Sequence, residues 1–169
     1  MASGECDEVW VIPALESPFK QGDDTVPFKH RFNMAKLAFS HLKRVKVLDT
    51  ETRLPKPSYT ADTLAKLREE YPDVDFRLCI GSDNLSGFHR WHKYKQLLDS
   101  TGLIVAERPG FNSDEVKGDV MDKATFVKHE PIAHSSTEIR REFANARFLY
   151  AVPANVLRYI QEHGLYLPS

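Results

Sequence analysis

Five short apolar runs are strung along this chain, at residues 9–12, 45–48, 76–80, 103–106 and 125–127, and no hairpin turn joins any two of them. The first is apolar on both faces, as a strand buried between two helix layers must be. Parallel neighbours cannot be linked by a two-residue turn; each crossover needs a dozen or more residues, usually a helix. Phe28, Phe32, Ala35, Phe39 and Leu42 recur at spacings of 4, 3, 4 and 3, which draws one continuous helical stripe. A second helix, capped by Thr60, turns Leu64, Leu67 and Tyr71 inward and stops at Pro72. Leu97 and Leu98 belong to a third, after Trp91. Two C-terminal helices are predicted at about 136–144 and 153–163, with Pro153 at the start of the second and Gly164 just past its end. The order β-α-β-α-β-α-β-β-α-α implies an α/β fold on a doubly wound, Rossmann-like parallel sheet. Residues 17–27 and 53–59 read as loops, and the polar, aperiodic 111–124 as the most mobile stretch.

Length and charge narrow the partners. A chain of 169 residues is expected to form one domain, 1–169, with a real hydrophobic core. A net charge of −1 gives no general affinity for polyanions, so nucleic acid is not an expected partner. The apolar runs are too short to span a bilayer and no signal-peptide pattern is visible, so no membrane association and a cytoplasmic location are expected. Cys6 and Cys79 read as reduced thiols, too few for a zinc site, and the seven histidines lack metalloprotease spacing, so no protein metal site is expected. The sequence leaves a homo-oligomer open.

In a doubly wound sheet, ligands collect at the carboxyl ends of the strands. Gly81-Ser82-Asp83-Asn84 lies there, directly after a strand. Glycine lets a ligand approach the backbone, and Asp83 can accept from a ribose hydroxyl or an exocyclic amine; the same tripeptide also suits an ordinary strand-to-helix turn. In Ser135-Ser136-Thr137-Glu138-Ile139-Arg140-Arg141, Ser135 and Glu138 fit a capping box. Hydroxyls, backbone N–H groups, the positive helix end and Arg140 would then converge on an anion, the alternative being a well-capped surface helix with solvated arginines. Trp91, between Arg90 and His92, suits stacking on an aromatic ring that bears negative groups, or plain core packing.

These segments carry a wider likeness. Between Asp7 and Tyr166 the chain resembles the bacterial nicotinate-nucleotide adenylyltransferases of the nucleotidyltransferase α/β superfamily. The segments are Asp7-Glu8-Val9-Trp10-Val11-Ile12-Pro13, Ser17-Pro18-Phe19-Lys20, Pro57 through Leu64, Ile80-Gly81-Ser82-Asp83, Arg90-Trp91-His92-Lys93-Tyr94, Arg108-Pro109-Gly110, Ser135 through Arg140, Val152-Pro153 and His163-Gly164-Leu165-Tyr166, all in order. The resemblance implies adenylyl transfer from ATP to nicotinate mononucleotide, giving deamido-NAD and pyrophosphate in NAD biosynthesis, with Mg²⁺ accompanying ATP. It implies that Ser136, Thr137 and Arg140 hold the ATP phosphates, and that Gly81, Asp83 and Ser135 border ATP. Thr60, Trp91 and His92 would hold and stack the pyridine ring, with Lys20 near phosphate.

One departure bears on all of this. The family's opening strand and its G-x-F-D-P-x-H-x-G-H segment, whose histidines contact the reacting phosphates, have no counterpart in the sequence, and no other Gly-rich phosphate loop replaces them. That strand is central in the family's sheet, so its loss is expected to open a gap of about 10 Å between two unpaired inner edges. The expectation is an N-terminally truncated adenylyltransferase whose true start lies upstream. The alternatives are a relative that binds a nucleotide without reacting it, and an inactive fragment.

Overall fold

A computed structural model of the chain describes residues 4–16, 26–128, 130, 136–145 and 152–166. The elements follow the predicted order with one addition. They are β1 (Val9–Val11), α1 (Phe28–Phe39), β2 (Val45–Val47), α2 (Thr60–Glu70), β3 (Arg77–Gly81), α3 (Tyr94–Ser100), β4 (Gly102–Ala106), α4 (Gly118–Met121), β5 (Ala124–Val127), α5 (Ser136–Ala144) and α6 (Ala154–Glu162). The addition, α4, falls in the stretch expected to be an aperiodic loop. Its Val120 is fully buried, and the preceding 3-10 turn is capped by Asn112 Oδ1, which accepts from the Asp114 N–H at 3.1 Å. A four-residue helix makes barely one turn, too little for a periodic stripe to register.

Every pairing is parallel, as the absence of hairpins requires. β1 pairs with β2 in the register Val9↔Val45 to Val11↔Val47. β3 pairs with β4 from Arg77↔Gly102 to Gly81↔Ala106, and β4 with β5 from Leu103↔Ala124 to Ala106↔Val127. The described strands thus form two sheets, ordered β1-β2 and β3-β4-β5. No described strand pairs with the second edge of β1 or of β3.

The chain divides into two compact units, one of Met1–Cys6 with Leu54–Pro131, the other of Asp7–Arg53 with Ile132–Ser169. In the first, β4 is the middle strand, and Leu103, Ile104 and Val105 are all buried, as a strand covered on both faces demands. Leu64 and Leu67 from α2, Leu97 and Leu98 from α3, and Ile80, Leu85, Phe88 and Val120 are buried with them. Each such side chain contributes roughly 1.5–3 kcal/mol by leaving water. Tyr71 does not join them: α2 ends at Glu70, and Tyr71, its C-cap, is exposed.

The second unit is built on Phe143, Val156 and Ile160, with Met34, Leu37, Ile139, Leu157 and Leu165 packed around them. The Tyr159 hydroxyl accepts from Asn33 Nδ2 at 3.0 Å and lies 3.0 Å from His30 Nδ1, which ties α6 to α1. The predicted α1 stripe is not the face that packs on this core: no α1 residue is fully buried, and the α1 side chains against the core are Met34, Leu37 and Ala38. Ser40 closes the helix by donating to the Leu37 carbonyl at 2.9 Å, and Leu42, beyond it, is exposed.

Candidate active site

At the carboxyl end of β3, Gly81 passes straight into the 3-10 turn Ser82–Asn84. Buried Ser82 accepts the Arg108 N–H on its Oγ at 2.9 Å, which ties this turn to the chain leaving β4. Asp83 and Arg108, both well exposed, form an ion pair of 3.0 Å between Oδ1 and Nε. The pair lies over Gly81: a Cβ there would collide with Asp83 Oδ1 and come within 2.8 Å of Arg108 Nε. Glycine therefore admits this pair before it admits any ligand.

The N-terminus of α2 meets the Arg-Trp-His run in the same unit. Thr60 is the first residue of the helix and not its cap; the N-cap is Tyr59, with no side-chain hydrogen bond to the helix end. The Tyr59 carbonyl instead collects the N–H groups of Asp62 and Thr63 and the Thr63 hydroxyl. The Tyr59 ring lies against His92, centroids 4.3 Å apart. Trp91 stacks on Phe88 at 4.9 Å. Lys93 follows with φ 53°, the left-handed region that a side-chain-bearing residue enters at a cost of about 1–2 kcal/mol. Its ammonium is held 2.9 Å from Asp62 Oδ1 in the first turn of α2. That turn and ion pair carry His92 back over Tyr59.

In the other unit, α5 begins at Ser136 as predicted. Ser136, Thr137 and Arg140 are exposed on its first turns, and Arg140 Nη2 lies 3.4 Å from Thr137 Oγ1, a long donor contact. The positive end of this nine-residue helix thus carries two hydroxyls and a guanidinium. Tyr166, at φ 59°, is half-buried beside it. Burial pushes the Tyr166 hydroxyl up from its usual pKa, while the charges of Arg140 and Arg31 pull it down.

Of the residues predicted from sequence, His92 lies against the N-cap of α2, whose first residue is Thr60, its neighbour Trp91 stacks on Phe88, and Gly81 and Asp83 stand at the end of β3. Ser136, Thr137 and Arg140 share α5. Lys20 and Ser135 lie outside the described residues, and with Ser135 the capping box it would form with Glu138. Tyr59, Lys93 and Arg108 had no assigned role. The signal for Arg108 was its place just past the carboxyl end of a strand; nothing local marked the other two. Among the described residues no three His, Cys, Asp or Glu side chains are grouped to hold a metal ion, and no described helix is long and apolar enough to cross a membrane.

The chain matches no protein-family model, but it has many curated relatives. It is 36% identical over 159 residues to a protein of Bacteroides fragilis named probable nicotinate-nucleotide adenylyltransferase, covering 92% of this chain and 78% of that one. A like-named protein of Oceanobacillus iheyensis is 33% identical over 163 residues, covering 96% and 82%. Among solved structures, the Plasmodium falciparum nicotinic acid mononucleotide adenylyltransferase complexed with NaAD superposes with a TM-score of 0.75 at 19% identity, covering 98% of this chain and 86% of that one. Its complex with APC gives 0.73. The structural likeness establishes the α/β fold, and the sequence likeness over most of both chains establishes more: this protein belongs to the nicotinate-nucleotide adenylyltransferase family of nucleotidyl-transferring enzymes.

Proposed function

We propose that the protein transfers the adenylyl group of ATP to nicotinate mononucleotide, forming deamido-NAD and pyrophosphate. A phosphate oxygen of the mononucleotide attacks the α-phosphorus of ATP in line. One P–O bond forms as the α–β bridging bond breaks, and that electron pair leaves with pyrophosphate. No protein group needs to bond covalently; the chain aligns two polyanions and neutralises charge as it develops. In this reading Ser136, Thr137 and Arg140 hold the ATP phosphates, Gly81 and Asp83 border the adenosine, Ser135 contributes to binding ATP, and Lys20 serves near phosphate. Thr60, Trp91 and His92 hold the pyridine ring. Mg²⁺, bound to ATP as part of the substrate, would supply charge that offsets the triphosphate.

The observation that carries the reading is the aromatic shelf beside α2. Trp91 is backed on one side by the buried ring of Phe88, and the neighbouring His92 lies over Tyr59, the N-cap of α2. A flat apolar face beside the roughly half-unit positive charge of a helix N-terminus suits a pyridine carboxylate, and so favours nicotinate over the neutral nicotinamide. The test is pyrophosphate release with ATP and each mononucleotide, alongside a tryptophan-fluorescence titration of binding. Release and deamido-NAD formation with nicotinate mononucleotide are expected. Binding without release would instead identify a relative that holds nucleotides without reacting them, and no binding would refute both readings.

A further inference from the structure

The end of α2 that would face a pyridine carboxylate carries an acidic side chain of its own. Asp62 stands in the first turn of the helix, two residues after Thr60. A helix N-terminus presents the equivalent of about half a positive charge, and a carboxylate in the first turn cancels it. Unpaired, Asp62 would therefore oppose a second anion at the same end. It is paired: Lys93 Nζ donates to Asp62 Oδ1 at 2.9 Å. Lys93 comes from the aromatic shelf itself, following directly on Trp91 and His92, and its backbone stands at φ 53° as the N-cap of α3. That turn is held on both sides, by the Tyr94 N–H on the Trp91 carbonyl at 3.1 Å and the Leu97 N–H on the Lys93 carbonyl at 3.0 Å.

Stability does not account for this arrangement. Both side chains are partly exposed, and ion pairs of that kind stabilise a fold little. A left-handed backbone at a residue with a Cβ is itself unfavourable and persists only where its surroundings enforce it. What the pair does change is the charge at the helix end, where an ammonium now balances the carboxylate. The same end still has polar capacity to fill. Ser58, one residue before the N-cap Tyr59, is buried, and its hydroxyl has no partner among the described residues.

We infer that Asp62 and Lys93 determine ring specificity: Lys93 neutralises Asp62, so that the start of α2 accepts the anionic nicotinate ring in preference to the neutral nicotinamide ring, a role that rests on the proposed function. Neither side chain has to touch the ring; both act through the potential at the helix end. The experiment titrates wild type, D62N, K93Q and D62N/K93Q with nicotinate mononucleotide and with nicotinamide mononucleotide by tryptophan fluorescence, alongside pyrophosphate release. The two ligands share ribose and phosphate, so the ratio of their affinities isolates the ring carboxylate, and a loss of stability cancels from it. K93Q should lower the nicotinate-to-nicotinamide ratio by about three- to tenfold, the size of one charge acting over several ångströms near a protein surface. D62N should move the ratio the other way, and the double variant should return it close to wild type. In 1 M salt, where screening acts within about 3 Å, the differences should shrink. A merely structural clasp would weaken both ligands alike in K93Q and in D62N, and that result, or ratios that do not move, would overturn the inference. A wild-type protein that binds both ligands but releases no pyrophosphate would defeat adenylyl transfer while the ratios still decide the pair. One that binds neither would refute the proposed function and the role of the pair together.

Discussion

Trp91 rests on Phe88 with ring centroids 4.9 Å apart and planes inclined by 30°, and Phe88 has no exposed surface while Trp91 is half-buried. Two adjacent aromatics thus have different duties. Phe88 belongs to the core, and Trp91 uses it as a backing plate. Phe88→Ala should cost about 3–5 kcal/mol of stability, read by chemical denaturation, as other large core truncations do. Trp91→Ala should cost less stability and raise KM for the mononucleotide more than for ATP. Equal stability losses with KM unmoved would make Trp91 a core residue as well.

Arg140 is exposed on α5, and among the described residues its side chain makes a 3.4 Å approach to Thr137 Oγ1. Arg140→Ala should therefore leave the melting temperature nearly unchanged and weaken ATP binding by roughly 1–3 kcal/mol, the range for hydrogen bonds to charged groups. Calorimetric titration with ATP checks it; unaltered affinity would remove α5 from the phosphate site.

Gly81→Ala would drive a methyl group into the Asp83–Arg108 pair. Both side chains end in solvent and can swing aside, so the stability cost should stay within about 1 kcal/mol, as for an exposed ion pair. Asp83 would nevertheless be displaced from the end of β3, and ATP affinity should fall. A variant that binds ATP normally would separate Asp83 from the nucleotide.

Cys79 should be a sluggish thiol. Desolvation of its sulfur, with Cys6 nearby, pushes its pKa above the ordinary 9.0. Since the thiolate is the reactive form, the fraction available at neutral pH is reduced and should rise only as pH passes through the elevated value. Alkylation rates in a Cys6→Ser background, measured from pH 7 to 10.5, should climb at higher pH than for a small free thiol. A plateau below pH 9 would contradict this.

Much of the secondary structure was legible because its signals are local. The apolar runs of β1 to β5 and the stripe of α1 are periodic over enough residues to be read directly, and the start of α5 follows from the Ser-rich segment before its apolar positions. Errors arose where a pattern outran its element. Leu42 and Tyr71 continue their stripes in sequence, yet α1 and α2 stop first, leaving both exposed. Thr60 has a cap's chemistry, but the backbone turns one residue earlier, at Tyr59.

The chemistry of the candidate site divides in the same way. That Gly81 and Asp83 follow a strand, and that Ser136, Thr137 and Arg140 share a helix start, is determined by neighbours in the chain and could be read from residue order alone. The Asp83–Arg108 pair, the Tyr59–His92 contact and the Asp62–Lys93 pair join residues 25, 33 and 31 positions apart. Such partners are chosen by which strands lie side by side and where each crossover returns the chain. No local periodicity encodes that choice, because it is settled only when the apolar faces of separate elements are buried together.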